Sequence, residues 1–239
     1  MTIRNTPRAR HFIFVMLLGL GSVIWGPLLH AAEAPTVIAL PEFDSQKSKG
    51  PLQTAIFSGG CFWGVQGVFE HVRGVRKVVA GYAGGDKKTA EYEIVSSGKT
   101  GHAESVQISF DPAEVTYGEL LHIFFSVAHD PTELNRQGPD TGTQYRSAIF
   151  YTDDAQKNIA QAYVAQLDKS HAFPHDIVTV IAPQKGFYAA EDYHQDFLVK
   201  NPTHRYIVFY DLPKIDNLKR LFPNSYRGQP VTLNSATSR

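Results

Sequence analysis

The chain has 239 residues and a mass of 26.5 kDa, enough for one domain with a sizeable core, and no repeat or low-complexity tract divides it. Its 23 Lys plus Arg balance 23 Asp plus Glu, which excludes net charge as a source of affinity for nucleic acid or an acidic surface. A single cysteine, Cys61, excludes an internal disulfide.

In chain order, Arg4, Arg8 and Arg10 precede an apolar stretch from Phe12 to Leu29 and the small residues Ala31, Ala32 and Ala34. This pattern predicts a secretory signal over 1–32, cut after Ala32, and places the mature protein outside the cytoplasm, in a periplasm. An uncleaved membrane anchor is the alternative, weakened by Gly19, Gly21, Gly26 and Pro27. Residues 33–51 have no periodicity and read as an exposed lead-in, so the domain is expected over 52–225, with a flexible tail at 226–239.

Within the domain, Gln53 to Phe57 reads as a strand, Ser58-Gly59-Gly60 as a turn, and Phe62 to His71 as a helix with Val65, Val68 and Phe69 on one face. Val75 to Tyr82 is a second, β-branched strand stopped by Gly84-Gly85-Asp86, and Val106, Ile108 and Phe110 alternate as a third stopped by Asp111-Pro112. Thr116 and Glu119 form a capping box before a helix expected to end near Ala128. Residues 129–145 form a polar loop too long for a simple connector, a common place for functional groups. Ala148 to Tyr151 returns to strand, Thr152 is the expected cap of a helix presenting Ile159, Tyr163, Val164 and Leu167, and Ile177 to Ile181 is β-branched. Ala189 to Val199 is predicted helical up to Asn201-Pro202, with one more short helix near Ile215 to Leu221. Strands alternating with helices in a β-α-β opening predict a mixed α/β (α+β) domain. Its expected core is a mixed sheet with helices on one side, a split β-α-β (ferredoxin-like) arrangement, plus long irregular coil.

The chemistry-bearing residues start with Cys61. A thiolate at a helix start is stabilised by unpaired N–H groups and the helix dipole, which lowers its pKa. A lone cysteine is more often a small buried hydrophobe; an unpaired thiol in an oxidising compartment tilts the reading toward use. Glu104, where a loop enters the third strand, would hold its proton if it faces the apolar side, and would otherwise be an ordinary exposed glutamate. Tyr92 and Tyr145 are packing residues or phenol donors at a pocket edge, and Asp140 in the long loop is a turn former or a polar contact. His194, three residues after Glu191, is a satisfied histidine or a partner for Cys61. A zinc pair from His171 and His175 is interrupted by Phe173-Pro174. No serine elbow, phosphate loop or dinucleotide fingerprint occurs. Another thiol enzyme, a peroxidase or a hydrolase pairing Cys61 with His194, stays open, as does an exported binding module whose pocket is built from Phe62, Trp63 and the tyrosines.

Six ordered motifs reach further: Gly60-Cys61-Phe62-Trp63-Gly64, Ala80-Gly81-Tyr82-Ala83-Gly84-Gly85, Gly101-His102-Ala103-Glu104, His129-Asp130-Pro131, Gly142-Thr143-Gln144-Tyr145-Arg146-Ser147 and Glu191-Asp192-Tyr193-His194-Gln195. With these the chain resembles the peptide methionine sulfoxide reductase A family. The resemblance implies that Cys61 attacks the sulfoxide sulfur, that Glu104 protonates the sulfoxide oxygen, and that Tyr92 and Tyr145 hydrogen-bond it. It implies that Phe62 and Trp63 hold the substrate methyl, that His194 lies on the substrate side, and that Asp140 fixes water and polar groups. It further implies selectivity for the S epimer, a Cys61 sulfenic acid intermediate, no metal or organic cofactor, and free or protein-bound methionine sulfoxide as substrate, handled by a monomer. The chain departs from many relatives in lacking resolving cysteines: Ser96 stands where some have one, and Gln229 to Arg239 contains none. Regeneration is therefore expected from an external thiol, thioredoxin-like or small. Lys88 to Tyr92 lacks the Asn-Pro often found before this tyrosine, and Pro139 replaces a commoner asparagine beside Asp140.

Overall fold

Apolar alternation in the first half of the chain builds the centre of a six-stranded sheet. The computed structural model describes Met1 and residues 34–233; residues 2–33, which hold the signal expected over 1–32 except Met1, and 234–239, the last of the expected tail, lie outside the described residues. The elements are β1 (Gln53–Ser58), α1 (Phe62–Glu70), β2 (Val75–Ala83), α2 (Tyr92–Val95), β3 (Ala103–Phe110), α3 (Tyr117–Ile123) and the two-residue strands β4 (Arg136–Gln137) and β5 (Asp140–Thr141). There follow β6 (Ala148–Tyr151), α4 (Asp154–Lys169), β7 (Val180–Pro183), β8 (Phe187–Ala189), α5 (Phe197–Lys200) and α6 (Leu212–Leu221).

The sheet order is β7-β6-β1-β3-β2-β8. β3 is antiparallel to both β1 and β2, so β1 and β2 run parallel with β3 inserted between them. This is the split β-α-β unit expected from the sequence, and β6, antiparallel to β1, completes a ferredoxin-like set of four. The apolar face of α1, Val65, Val68 and Phe69, packs on the sheet, and Phe57 of β1 meets Phe69 at 5.6 Å and Phe124 at 4.9 Å between ring centroids. The capping box forms as read: the Glu119 N–H donates to Thr116 Oγ1 at 3.1 Å and the Thr116 N–H to Glu119 Oε2 at 2.8 Å. A wider turn over Phe124–Ala128 extends α3 to His129.

Several expectations shift. The cap of α4 is Asp153, not Thr152, because the Asp153 carboxylate accepts the Gln156 N–H at 2.8 Å. The strand expected at 177–181 forms at Val180–Pro183, where parallel pairing with β6 sets its register. The helix expected over 189–199 is broken. β8 pairs with the edge of β2 instead, and the Gln195 side chain serves that edge further along, accepting the Ala80 N–H at 2.9 Å and donating to the Ala80 carbonyl at 2.8 Å. Asp196 then adopts a left-handed backbone, φ 54°, which confines α5 to Phe197–Lys200. α6 starts three residues earlier than expected, after a wide turn over Ile207–Asp211.

The two flanks are docked. The lead-in lies as a strap over α3 and α4: Thr36 N–H donates to Ser126 O, Tyr163 Oη to Ala39 O, and Gln166 Nε2 to Leu40 O, at 2.7–2.9 Å. Asp44 accepts from Thr116 Oγ1 and from the Gly118 N–H. Of the residues expected in a flexible tail, 226–233 lie along the end of α1. Tyr226 bridges to Val72, and Arg227 and Val231 donate their N–H groups to His71 and Glu70 carbonyls.

Beneath that tail Glu70 is fully buried against Asp196. Burial first, then the Asp196 charge, raises its pKa well above the ordinary glutamate value, with Lys200 opposing. A raised folded-state pKa means that the contribution to stability is complete at low pH and is lost as pH rises through the ordinary glutamate range toward the folded value. Glu70→Gln, which needs no proton to stay neutral, is expected to gain about 1–3 kcal/mol near pH 8 and little below about pH 4. Urea melts of parent and variant across pH would show the gap widen upward; a gap widening toward acid would contradict the assignment.

Candidate active site

Gly60, at φ +85°, turns the chain from β1 into α1 in a conformation that glycine adopts readily, and a Cβ there would strike the Gln137 side chain at 2.6 Å. Cys61 is therefore the N-cap of α1, with an extended ψ of 121° and no side-chain capping bond. It is half-buried. Sequence reasoning expected the helix start to lower its pKa; the structure reverses that. Burial, followed by the charges of Glu104, Asp211 and Asp140, raises the thiol well above its ordinary value, and the Trp63 N–H opposes this only in part. Burial, together with the acidic groups gathered at the same helix end, outweighs its dipole.

Glu104 faces inward from β3, opposite Tyr82 of β2, and is 3% exposed. Its Oε2 accepts the Phe62 N–H at 3.0 Å, which attaches the carboxyl to the first turn beside Cys61. Burial pushes its pKa up to about 8, with the Phe62 bond opposing and Asp140 adding. At neutral pH Glu104 therefore mostly keeps its proton. Tyr145 ends a short turn, Thr143–Tyr145, and Tyr92 opens α2, whose N–H is held by Glu191 Oε1 at 2.8 Å. Burial raises both phenols, and both sense Glu104 and Cys61. They remain hydroxyl donors around the same small volume. Asp140 of β5 joins them, its pKa raised by burial, with the Tyr206 hydroxyl donating to Oδ2.

The apolar wall comes from α1. Trp63 stacks on Phe197 at 3.8 Å and 11°, meets Tyr206 edge-on at 5.9 Å, and donates its indole N–H to His194 Nδ1 at 3.1 Å. Phe62 is 1% exposed, behind this face, with its ring 5.9 Å from Tyr82 and 5.0 Å from His194. His194, expected on the substrate side, is only 2% exposed. Its Nδ1 is occupied by Trp63, its Nε2 lies 4.0 Å from Glu191 Oε2, and burial lowers its pKa, so a neutral ring carries its proton on Nε2. It supports Trp63 from a buried position, and its acceptor nitrogen is already occupied by the indole N–H.

Three site residues were missed in the sequence: Tyr206, Asp211 and Lys214. They come from the stretch between Asn201-Pro202 and the short helix expected near Ile215, where no periodicity or spacing singles them out. Among the described residues, no group of three or more His, Cys, Asp or Glu could hold a metal ion. What the site offers is a thiol, a neutral carboxylic acid and two phenol donors under an indole wall. That set suits an acceptor whose oxygen takes a proton while the atom bearing it is attacked by sulfur.

Comparison with known proteins agrees with this chemistry. The family model for peptide methionine sulfoxide reductase matches residues 53–225. A peptide methionine sulfoxide reductase MsrA 2 of Mesorhizobium japonicum is 61% identical over 193 residues, covering 81% of this chain and 99% of the relative. A protein of the same name from Synechocystis sp. is 48% identical over 214 residues, 90% of this chain and 99% of the relative. Among solved structures, methionine sulfoxide reductase A of Corynebacterium diphtheriae superposes with a TM-score of 0.56 at 32% identity, covering 73% of this chain and 90% of that one.

Proposed function

Since this chain belongs to the peptide methionine sulfoxide reductase family, we propose that Cys61 attacks the sulfur of methionine S-sulfoxide while Glu104 protonates its oxygen. The protein is an enzyme that reduces methionine sulfoxide at the expense of thiols. In the proposed first half-reaction the sulfoxide sulfur gains two electrons and leaves as the thioether of methionine. Cys61 loses two and takes the oxygen as a sulfenic acid. The Glu104 proton prevents negative charge from building on the oxygen, the Tyr92 and Tyr145 hydroxyls hold that oxygen, and Trp63 packs against the substrate methyl with Phe62 behind it. Asp140, bonded to Tyr206, fixes the polar end of the substrate.

The observation that carries this reading is the buried Glu104, with a pKa of about 8 and anchored on the Phe62 N–H beside Cys61. With one cysteine in the chain, the second half-reaction takes both thiols from outside. One condenses with the sulfenic acid to a mixed disulfide and water, and another releases Cys61 as a thiol. A thioredoxin-like protein or a small thiol would serve. With dithiothreitol and separated epimers, methionine S-sulfoxide is expected to be consumed and the R epimer left; equal consumption of both would contradict the proposed site. The signal pattern supports export to a periplasm, in which case N-terminal sequencing of the mature protein starts near residue 33, and an intact Met1 on the envelope protein would exclude cleavage.

A further inference from the structure

α6 begins where the chain returns to the head of α1. Asp211 is fully buried at the end of the wide turn before α6, Lys214 is 7% exposed in the first turn, and their Oδ1 and Nζ lie 3.7 Å apart. Both press on Gly64: a Cβ there would collide with Asp211 Oδ1 and lie 3.3 Å from Lys214 Nζ. Gly64 is in the first turn of α1, directly after Cys61-Phe62-Trp63. The pair therefore lies beside the turn that carries the thiol. Burying two charges offsets most of their attraction, so an apolar pair of similar volume would hold α6 on α1 as well or better. A buried ion pair at this place suggests a chemical use.

We propose that the Asp211–Lys214 pair governs when the Cys61 sulfur ionises, Asp211 holding it protonated between turnovers and Lys214 keeping Asp211 charged. The assignment rests on the role of Cys61 given above. The charged and titratable groups acting on Cys61 are Glu104 from β3, Asp211 from the start of α6 and Asp140 from β5, and the hydroxyls of Tyr92, Tyr145 and Tyr206 sense its charge. Lys214 also acts on Asp140 and on His129. Glu104 keeps its proton until about pH 8, so at neutral pH the carboxylates acting on the sulfur are Asp211 and, less strongly, Asp140, which Tyr206 and Lys214 help to keep ionised. The thiolate is the form that peroxides oxidise, and with one cysteine in the chain its recovery waits on an external thiol, leaving time for further oxidation. Holding it protonated protects the resting enzyme.

The test is the pH profile of iodoacetamide alkylation on the full chain without substrate, read by mass at its only cysteine. Asp211→Asn is expected to move the midpoint to lower pH and to raise alkylation at neutral pH roughly tenfold, one pKa unit. Because that variant leaves Lys214 buried without its partner carboxylate, the double variant Asp211→Asn/Lys214→Met, which removes both charges, is expected to do the same. Parent-like profiles in the folded variants would overturn the proposal. So would failure of both variants to fold, since the pair would then be structural. Alkylation involves no sulfoxide, so its result is separable from any failure of the reductase mechanism.

Discussion

Cys61→Ser is expected to lower methionine sulfoxide reduction at least about 10⁴-fold, to the background of the external thiol. The reaction transfers oxygen and two oxidising equivalents to the nucleophile, and a serine oxygen has no stable state corresponding to a sulfenic acid. No second cysteine exists to take over. The fold is not expected to suffer: the Cys61 side chain makes no capping bond, and serine is among the better N-cap residues, so stability stays level or rises by up to about 1 kcal/mol. Turnover of the S epimer with dithiothreitol, measured beside a thermal melt, separates the two effects. Residual turnover well above the thiol background in a folded variant would show that another group is the nucleophile.

Glu104→Gln is expected to be nearly as damaging through a different link. The amide can still accept the Phe62 N–H that now bonds to Oε2 at 3.0 Å, so the geometry at the head of α1 survives. What is lost is the proton. A positioned acid contributes about 10²–10⁴-fold, so kcat should fall by that factor while KM changes little. The parent should also lose activity as pH rises through about 8, where Glu104 gives up its proton, and the variant should lack that limb. For stability the sign is the same as for Glu70. The raised pKa means that the contribution of Glu104 is lost as pH rises from the ordinary glutamate range through about 8, so the variant should resist alkali better than the parent. An unchanged rate and pH profile would remove Glu104 from its role as the acid.

The parts of the fold legible in the sequence are those whose cause is local. Turn glycines between β1 and α1, the Thr116–Glu119 capping box and the alternation of β3 each carry their signal within a few residues. The helix expected over 189–199 failed because its apolar spacing is overridden from outside. β8 is held by β2, Gln195 is spent on the Ala80 backbone, and Asp196 is left-handed. The same distinction runs through the site. Cys61, Glu104 and the two tyrosines sit in short motifs and could be named. Tyr206, Asp211 and Lys214 reach the site only because α6 and the wide turn before it pack back on α1, a contact no spacing rule encodes. The thiol was expected to ionise easily for a related reason: the helix end was visible in the sequence, whereas the burial of Cys61 and part of the negative charge gathered around it were not. His194 shows the reverse case: its motif is visible in the sequence, whereas its burial and its bond to the Trp63 indole are not.

The most direct test of the central claim is a single turnover without any reducing thiol. Mixed with excess methionine S-sulfoxide, the protein is expected to release one methionine per chain and then stop, with the new oxygen trapped by dimedone as a sulfenic acid on Cys61. Release of no methionine, or of many per chain with Cys61 unmodified, would contradict it.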